Sequence, residues 1–463
     1  MMKPYKLSDD LDIAPLVTLR RMFALLTLFS SLRFILRGWV STQLLDPIVL
    51  FPFDGFSWLP RPNDVGAILL FSGMILGSVG MFFEKWHQWA AALFFFCFTY
   101  VELLDKSNYL NHYYFVSLMA LLLAFIPSKE SRGVAPWYFI WTPRLLLCLV
   151  YFYAGFAKLN SDWMTQALPL AIWLPQHSGM PVIGGLFEQR WVAFAFSWAG
   201  AIFDLVSPIG LIVARFRKYF YPVLVLFHVL TWVLFPIGVF PWVMIACTTV
   251  FFTDQWHNQF LMSIARFRTF LLRALNKEDL SQGQGVSNTK GSLIPRRWSF
   301  GMALGFLLIQ AVIPLRSIAS PGVLFWHEQG YRFSWRVMLM EKAGWATFYV
   351  VDERGDEQEV NIDDWLSPNQ QKAMSTQPDM IVDFGHIIGD AWEERIGENV
   401  RVRSEVWVSL NGRRSQLFVN PYVNLRTVNK GTKRSDYLMP MDSIIRPMDL
   451  REIRASFKES NGW

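Results

Sequence analysis

Long apolar runs separated by short polar and basic loops fill the first two thirds of the chain. They lie near 18–37, 65–83, 87–104, 111–127, 141–158, 191–214, 219–236, 238–253 and 300–318. Each approaches the roughly 20 residues that a helix needs to cross a bilayer. The first is the weakest, because Arg33 and Arg37 interrupt it. It lacks a small-residue cleavage site and reads as a retained helix. Pro236 and Pro241 leave 219–236 and 238–253 open to two readings, as separate spans or as one kinked or re-entrant feature. After residue 319 the pattern changes. Residues 346–352 alternate like a strand, turn at Arg354-Gly355-Asp356 and return to Ile362. Residues 405–410, then Asn411-Gly412, then 416–419 read as a second hairpin around a favoured turn pair. Pro368–Met374 and Pro378–Ile396 read as helices.

Composition strengthens the membrane reading. Of 463 residues, 53% are hydrophobic and only 17% charged, with 40 Phe and 21 Trp. A water-soluble fold has no use for so many large apolar side chains. The expected fold is a polytopic α-helical membrane bundle of about nine transmembrane helices over 1–318. A small extracytoplasmic α+β domain follows over 319–463.

The formal charge of +6 and the isoelectric point near 9.1 do not point to nucleic acid. The basic residues sit in loops, as orientation signals do. With Lys3, Lys6, Arg20 and Arg21 inside, the inner loops also hold Lys85, Lys129, Arg132, Arg215, Arg217, Lys218 and a basic stretch from Arg266 to Arg297. The outer loops hold Arg61, Lys106 and Arg190. This places the N-terminus in the cytoplasm and the C-terminal domain across the membrane, with lipid as a partner. Residues 281–289 read as a flexible inner linker. Cys97, Cys148 and Cys247 all lie in apolar runs without zinc spacing, so they read as packing residues and no metal is expected.

Candidate chemistry starts at Lys158, which closes an apolar run and precedes Leu159-Asn160-Ser161-Asp162-Trp163. Desolvation disfavours an ammonium, so a buried lysine is a candidate base. A lysine snorkelling to the interface, with Trp163 and Asp162 beside it, accounts for this segment equally well. Loop polarity then puts Asn111 and His112 at the same outer level as Lys158, with Asp204 and His228 near mid-membrane and Arg332 and Arg336 outside. Singly, His112 and His228 read as satisfied packing histidines, and Asp204 as a paired carboxylate or a cap before Pro208. Asp383, His386 and Asp390 share a helix face that more often faces solvent than binds metal. The aromatic residues Tyr113, Tyr114, Tyr151, Phe152, Tyr153 and Trp163 suit core packing, and beside a buried base they suit a flat lipophilic ring.

Four segments resemble the vitamin K-dependent γ-glutamyl carboxylases, which carry a horizontally transferred transmembrane (HTTM) domain. They are Asp105-Lys106-Ser107-Asn108-Tyr109-Leu110-Asn111-His112-Tyr113-Tyr114, the lysine segment from Tyr153 to Trp163, the stretch from Phe227-His228 to Phe240-Pro241-Trp242, and Gly330-Tyr331-Arg332-Phe333-Ser334-Trp335-Arg336. The likeness runs from about residue 15 to about residue 430. It implies an enzyme in which a buried lysine deprotonates reduced vitamin K. The quinol then reacts with oxygen to give a strong base, which removes a γ-proton from a peptidyl glutamate. The carbanion adds carbon dioxide, and vitamin K leaves as its epoxide. On this sequence the resemblance implies Lys158 as base with His112 and Asn111 as catalytic partners. It implies Tyr113, Tyr153, Asp204, His228, Trp335 and Arg332 around the quinol. The short stretch after Asn424-Leu425-Arg426 resembles a short bacterial-type member. Epoxidation without carboxylation, or a scaffold that only binds quinone or lipid, are the other readings.

Overall fold

The computed structural model describes residues 5–126, 133–274, 295–429 and 431–442. The expected linker 281–289 and the orienting charges Lys3, Lys129 and Arg132 lie outside these residues. The bundle runs through α1 (Ala14–Leu36), α2 (Asp64–Gly80), α3 (His87–Leu104), α4 (Asn111–Phe125) and α5 (Trp137–Ala157). It continues through the short α6 (Ser161–Gln166) and α7 (Leu170–Trp173), then α8 (Arg190–Ile212), α9 (Ala214–Leu234), α10 (Phe240–Thr248), α11 (Asp254–Ala274) and α12 (Arg296–Val312). A two-stranded ribbon of β1 (Asp10–Asp12) and β2 (Val134–Pro136) ties the start of α1 to the start of α5.

Each expected apolar run is helical, and α9 and α10 are separate helices with a break around Pro236. Among the described residues, four helices are long and apolar enough to cross a membrane by length and composition, so the expected nine are not confirmed. These are α3, α5, α8 and Arg296–Ala319, which is α12 with its following turn. α2, α4 and Phe240–Phe251 are apolar but shorter, and α1 carries too much polar character to join the four. Apolar side chains of the bundle are also exposed at its periphery, including Trp89, Phe96, Trp191 and Trp298. Exposed aromatics of this size on a helical surface fit a lipid surround.

After α13 (Leu324–His327) come β3 (Lys342–Val351), β4 (Glu357–Val360), α14 (Pro368–Met374), α15 (Pro378–Ile396), β5 (Arg401–Leu410) and β6 (Gln416–Leu417). The sheet order is β4-β3-β5-β6, with every neighbouring pair antiparallel. Alternation sets the packing: Ala346, Phe348 and Val350 of β3 and Val402, Val406 and Val408 of β5 turn inward. Phe348 meets Phe384 of α15 edge to face. Both expected hairpins form. In the second, Arg413 N–H closes onto the Leu410 carbonyl while Asn411 and Gly412 both take positive φ, the backbone that an Asn-Gly pair favours. α14 is closed by a capping box between Ser367 and Gln370. The core of this domain is continuous with that of α6, α7 and the start of α8, through Trp163, Leu170, Leu174 and Val192. The two parts are interlocked rather than tethered.

Candidate functional site

The lysine segment is shaped by one close helix approach. A Cβ on Gly155 would lie 2.8 Å from the Leu205 backbone nitrogen and 3.0 Å from the Asp204 Cβ, so only glycine lets α5 and α8 meet at this level. The approach brings Asp204 to Lys158, the residue that caps the end of α5. Lys158 Nζ donates to Asp204 Oδ2 at 2.7 Å and to the Ala154 carbonyl at 3.2 Å. It also stands 5.2 Å from the centre of the Trp163 ring. Both side chains are buried, Lys158 at 6% and Asp204 at 4% exposure. Lys158 therefore does not snorkel. Its ion partner is Asp204, 46 residues away, and not the neighbouring Asp162.

Asp162 has a different task. It accepts two hydrogen bonds from the Arg413 guanidinium at 2.8 and 2.7 Å and one from Asn411 Nδ2 at 2.8 Å. Asn411 Oδ1 accepts the Glu341 N–H at 2.8 Å. The turn between β5 and β6 thus clamps the segment directly after Lys158. Asn160, between them, caps α6 by accepting the Trp163 N–H.

A cavity of about 310 Å³ lies elsewhere, walled by α1, α3, α4 and the break between α9 and α10. Its walls are mainly aromatic, including Phe34, Phe71, Phe94, Phe98 and Phe240. His112 and Tyr113 face it from the start of α4. The His112 ring stacks on Phe240 at 5.0 Å and meets Tyr113 edge to face at 4.6 Å. Neither His112 nitrogen, nor the Tyr113 hydroxyl, has a hydrogen-bond partner among the described residues. Arg33 and Glu102 also line it. Gly238, at φ +63°, leaves room for Arg33, since a Cβ there would lie 3.1 Å from its Nη1. Arg33 packs over Trp39 at 4.9 Å. Arg33 and Glu102 have neither hydrogen bonds nor ion pairs among the described residues.

The expected residues therefore divide. His112 and Tyr113 line the cavity, and Lys158 does not. Asn111, His112 and Lys158, which loop polarity puts at one outer level, do not line one cavity: of the three, only His112 faces this one. Asn111 is turned to the connecting segment, donating to the Arg336 carbonyl at 2.8 Å and accepting from the Tyr109 hydroxyl at 3.0 Å. Of the residues implied around the quinol, Asp204 holds Lys158. His228 Nε2 pairs with the Tyr151 hydroxyl at 2.7 Å. The Tyr153 hydroxyl donates to the Ala311 carbonyl. Trp335 is buried against Tyr114, with ring centres 5.1 Å apart. Arg332 is bound to Asp379 at 2.6 Å and to Gln377.

Arg332 belongs to an ion cluster between the loop before α4 and α15. Lys106, 2% exposed, reaches Asp379 at 3.1 Å and Asp383 at 2.5 Å. Burial pushes the Asp379 carboxyl up, but Arg332 and Lys106 outweigh it and hold the group well below the usual carboxylate range. Burial likewise pushes Lys106 down, and Asp379 with Asp383 outweighs it and holds the ammonium above its usual value. Burial dominates at Asp383, whose carboxyl is raised despite Lys106. Asp383, His386 and Asp390, read as one helix face, have separate partners: Lys106, the Val428 carbonyl and Arg426.

Glu102 and Arg33 were the residues that pattern reading passed over. Their signal was present: each is a charge inside an apolar run, and such charges are site candidates by default.

The HTTM domain model matches residues 9–256. The model of the lumenal domain of vitamin K-dependent gamma-carboxylases matches residues 295–443. No solved structure matches the chain. With apolar helices in the first region and the lumenal-type domain in the second, the chain is a membrane protein with an extracytoplasmic domain, and it belongs to the vitamin K-dependent gamma-carboxylase family.

Proposed function

We propose that the protein is an integral membrane carboxylase that uses reduced vitamin K, oxygen and carbon dioxide to γ-carboxylate glutamate in a protein substrate. The N-terminus lies in the cytoplasm and the α+β domain outside. The observation that carries the reading is the aromatic cavity bearing His112, Glu102 and Arg33, none with a polar partner among the described residues, in a chain of this family. Its size and apolar walls, with a few convergent polar groups, fit a flat naphthoquinol ring. When bound, reduced vitamin K supplies, through its reaction with oxygen, the base that removes the glutamate γ-proton before carbon dioxide adds.

The chain's own part is to hold the ring, exclude water and manage protons. His112 and Tyr113 offer hydrogen bonds at the cavity wall, and the phenylalanine walls keep water out. Lys158 lies outside that cavity, so it serves as base for a quinol hydroxyl that reaches the α5–α8 seam, once its ammonium has given up a proton. Asp204, 2.7 Å away, is the acceptor at hand. That transfer converts a buried ion pair into two neutral groups without changing net charge, which suits a low-dielectric seam.

The test is a purified-protein assay with reduced vitamin K, oxygen, labelled bicarbonate and a glutamate peptide. Lys158→Ala should lower epoxide and labelled peptide together by about a hundredfold or more. Lys158→Arg should be as inactive, because a guanidinium stays charged. Equal turnover in either variant removes Lys158 as base. A second reading is favoured by the separation of Lys158 from the cavity: a quinone-binding membrane protein without chemistry. It predicts quinone binding without epoxide in the wild type. Epoxide without labelled peptide points to epoxidation alone.

A further inference from the structure

We propose that the uncovered edge of β3 is a docking groove for an extended segment of the protein substrate, which binds there as an added strand. The proposal rests on the carboxylase reading above.

The sheet leaves this edge open. β4 pairs only with residues 348–351 of β3, so residues 343–347 have β5 on one side and no strand on the other. Asn411 N–H donates to the Glu341 carbonyl across the β3–β5 ladder. Alternation then turns the backbone of residues 343, 345 and 347 toward β5, and that of Lys342, Gly344 and Ala346 toward the open edge. Neither the Gly344 nor the Ala346 backbone has a hydrogen-bond partner on that side among the described residues. Such an edge invites another chain, and folded proteins blunt it with short strands, charges or proline. The opposite edge of the sheet follows that rule, because β6 has only two residues. The open stretch Ala343-Gly344-Trp345-Ala346-Thr347 carries neither a charge nor a proline.

Beside it lies a groove of about 460 Å³, walled on the far side by Asn361, Ile362 and the α14 residues Pro368, Gln371 and Lys372. The open edge is roughly 17 Å long at the usual rise per residue, which matches about five residues of a partner strand. Trp345, 72% exposed, stands opposite Trp407 of β5 on the outer face. A strand added at the edge lays one side chain on Trp345. The groove holds both signs of charge, Lys372 against Glu359 and Asp363. Backbone bonds and one apolar contact, rather than charge, therefore do the recognising.

Both walls are tied to the regions that carry the proposed chemistry. β3 starts at the turn that clamps the lysine segment, since Glu341 N–H meets Asn411, and Asn411 meets Asp162. α14 reaches the aromatic cavity through Asn369, which lines it. A segment seated on β3 is thus held on the outer domain, next to elements that contact both the seam and the cavity. This continuity makes a substrate segment the occupant.

The experiment measures peptide binding by fluorescence anisotropy with the full chain in detergent. The probe is a labelled peptide of about six residues, glutamate and threonine around a single leucine. With the leucine on Trp345, its own N–H points away from β3, while those of its two neighbours point to Gly344 and Ala346. Methylating either neighbour's nitrogen should weaken binding by about tenfold or more, and methylating the leucine nitrogen should leave it unchanged. Trp345→Ala should weaken the unmodified peptide by roughly threefold to tenfold. The methylation series uses the wild-type chain, so it decides even if the variant fails to fold. Equal effects at all three nitrogens, or no binding of the unmodified peptide, overturn the groove. A dimer that Trp345→Ala splits and the peptide does not displace assigns the edge to a second copy of the chain, and the proposal falls. Labelled carbon dioxide entering the peptide without the methylation pattern removes the groove and keeps the carboxylase reading. The pattern without label in the peptide keeps the groove and removes that reading.

Discussion

The α5–α8 seam and the cavity by α1, α3 and α4 both hold charged groups inside an apolar bundle, and they treat them in opposite ways. At the seam, Lys158 has Asp204, a carbonyl and an aromatic face, so its donors are accounted for. In the cavity, Arg33, Glu102 and His112 have no polar partner among the described residues. A satisfied buried pair is self-contained. Unsatisfied groups at a cavity wall are costly unless something fills the space. The contrast marks the seam as a stored proton couple and the cavity as a place for a ligand. Each region is also fixed to the outer domain by its own ion cluster, Asp162 with Arg413 on one side and Lys106 with Asp379 on the other.

The largest effect should come from breaking the seam. Asp204→Leu leaves a buried ammonium unpaired and should cost about 3–5 kcal/mol. The double replacement Lys158→Met with Asp204→Leu should recover most of that stability while remaining without turnover. Thermal midpoints in detergent measure both; a double variant as unstable as the single one sinks the idea of a self-contained pair. Next, Arg413→Ala should cost about 2–3 kcal/mol, because Asp162 then loses two charge-assisted hydrogen bonds. If the midpoint does not move, the turn between β5 and β6 is no clamp. Gly238→Ala should cost about 1–2 kcal/mol for its left-handed backbone. It should also weaken ligand binding by crowding Arg33, and unchanged binding would detach Gly238 from the cavity. The last prediction concerns pH and the Asp379 cluster, and it reads a difference between two pH values. The folded Asp379 carboxyl titrates below the unfolded value of about 3.9. The contact therefore contributes stability that is fully present above that pH and is lost as pH falls through the folded value. Melting curves at pH 7 and pH 3 should differ less in Asp379→Asn than in the wild type. An equal drop in both assigns the acid sensitivity elsewhere.

Local signals carried the outer domain well. Alternation placed β3 and β5, the Asn411-Gly412 pair placed the turn, and Pro368 and Pro378 marked the starts of α14 and α15, because these features depend on near neighbours. Partner choice was not local. Asp162 stands four residues from Lys158, yet Asp204 takes the lysine, since the approach allowed by Gly155 decides it. The cavity was half legible. The segments 107–113 and 236–240, which resemble the family, both line it, but which helices face each other across it is set by packing that a single sequence does not display. Runs of apolar residues likewise revealed where helices form more clearly than which of them are long enough to span.

Asn411 has a consequence for how the molecule ages. An asparagine before glycine is the pair most given to losing ammonia, because the next backbone nitrogen can attack the side-chain carbonyl. Here that side chain is fully buried, with its oxygen and nitrogen both engaged. Were it converted to aspartate, a new carboxylate would face Asp162 where a donor now stands. The turn that holds the lysine segment is therefore protected from this decay for as long as it stays closed, and a molecule damaged there would lose its hold on that segment.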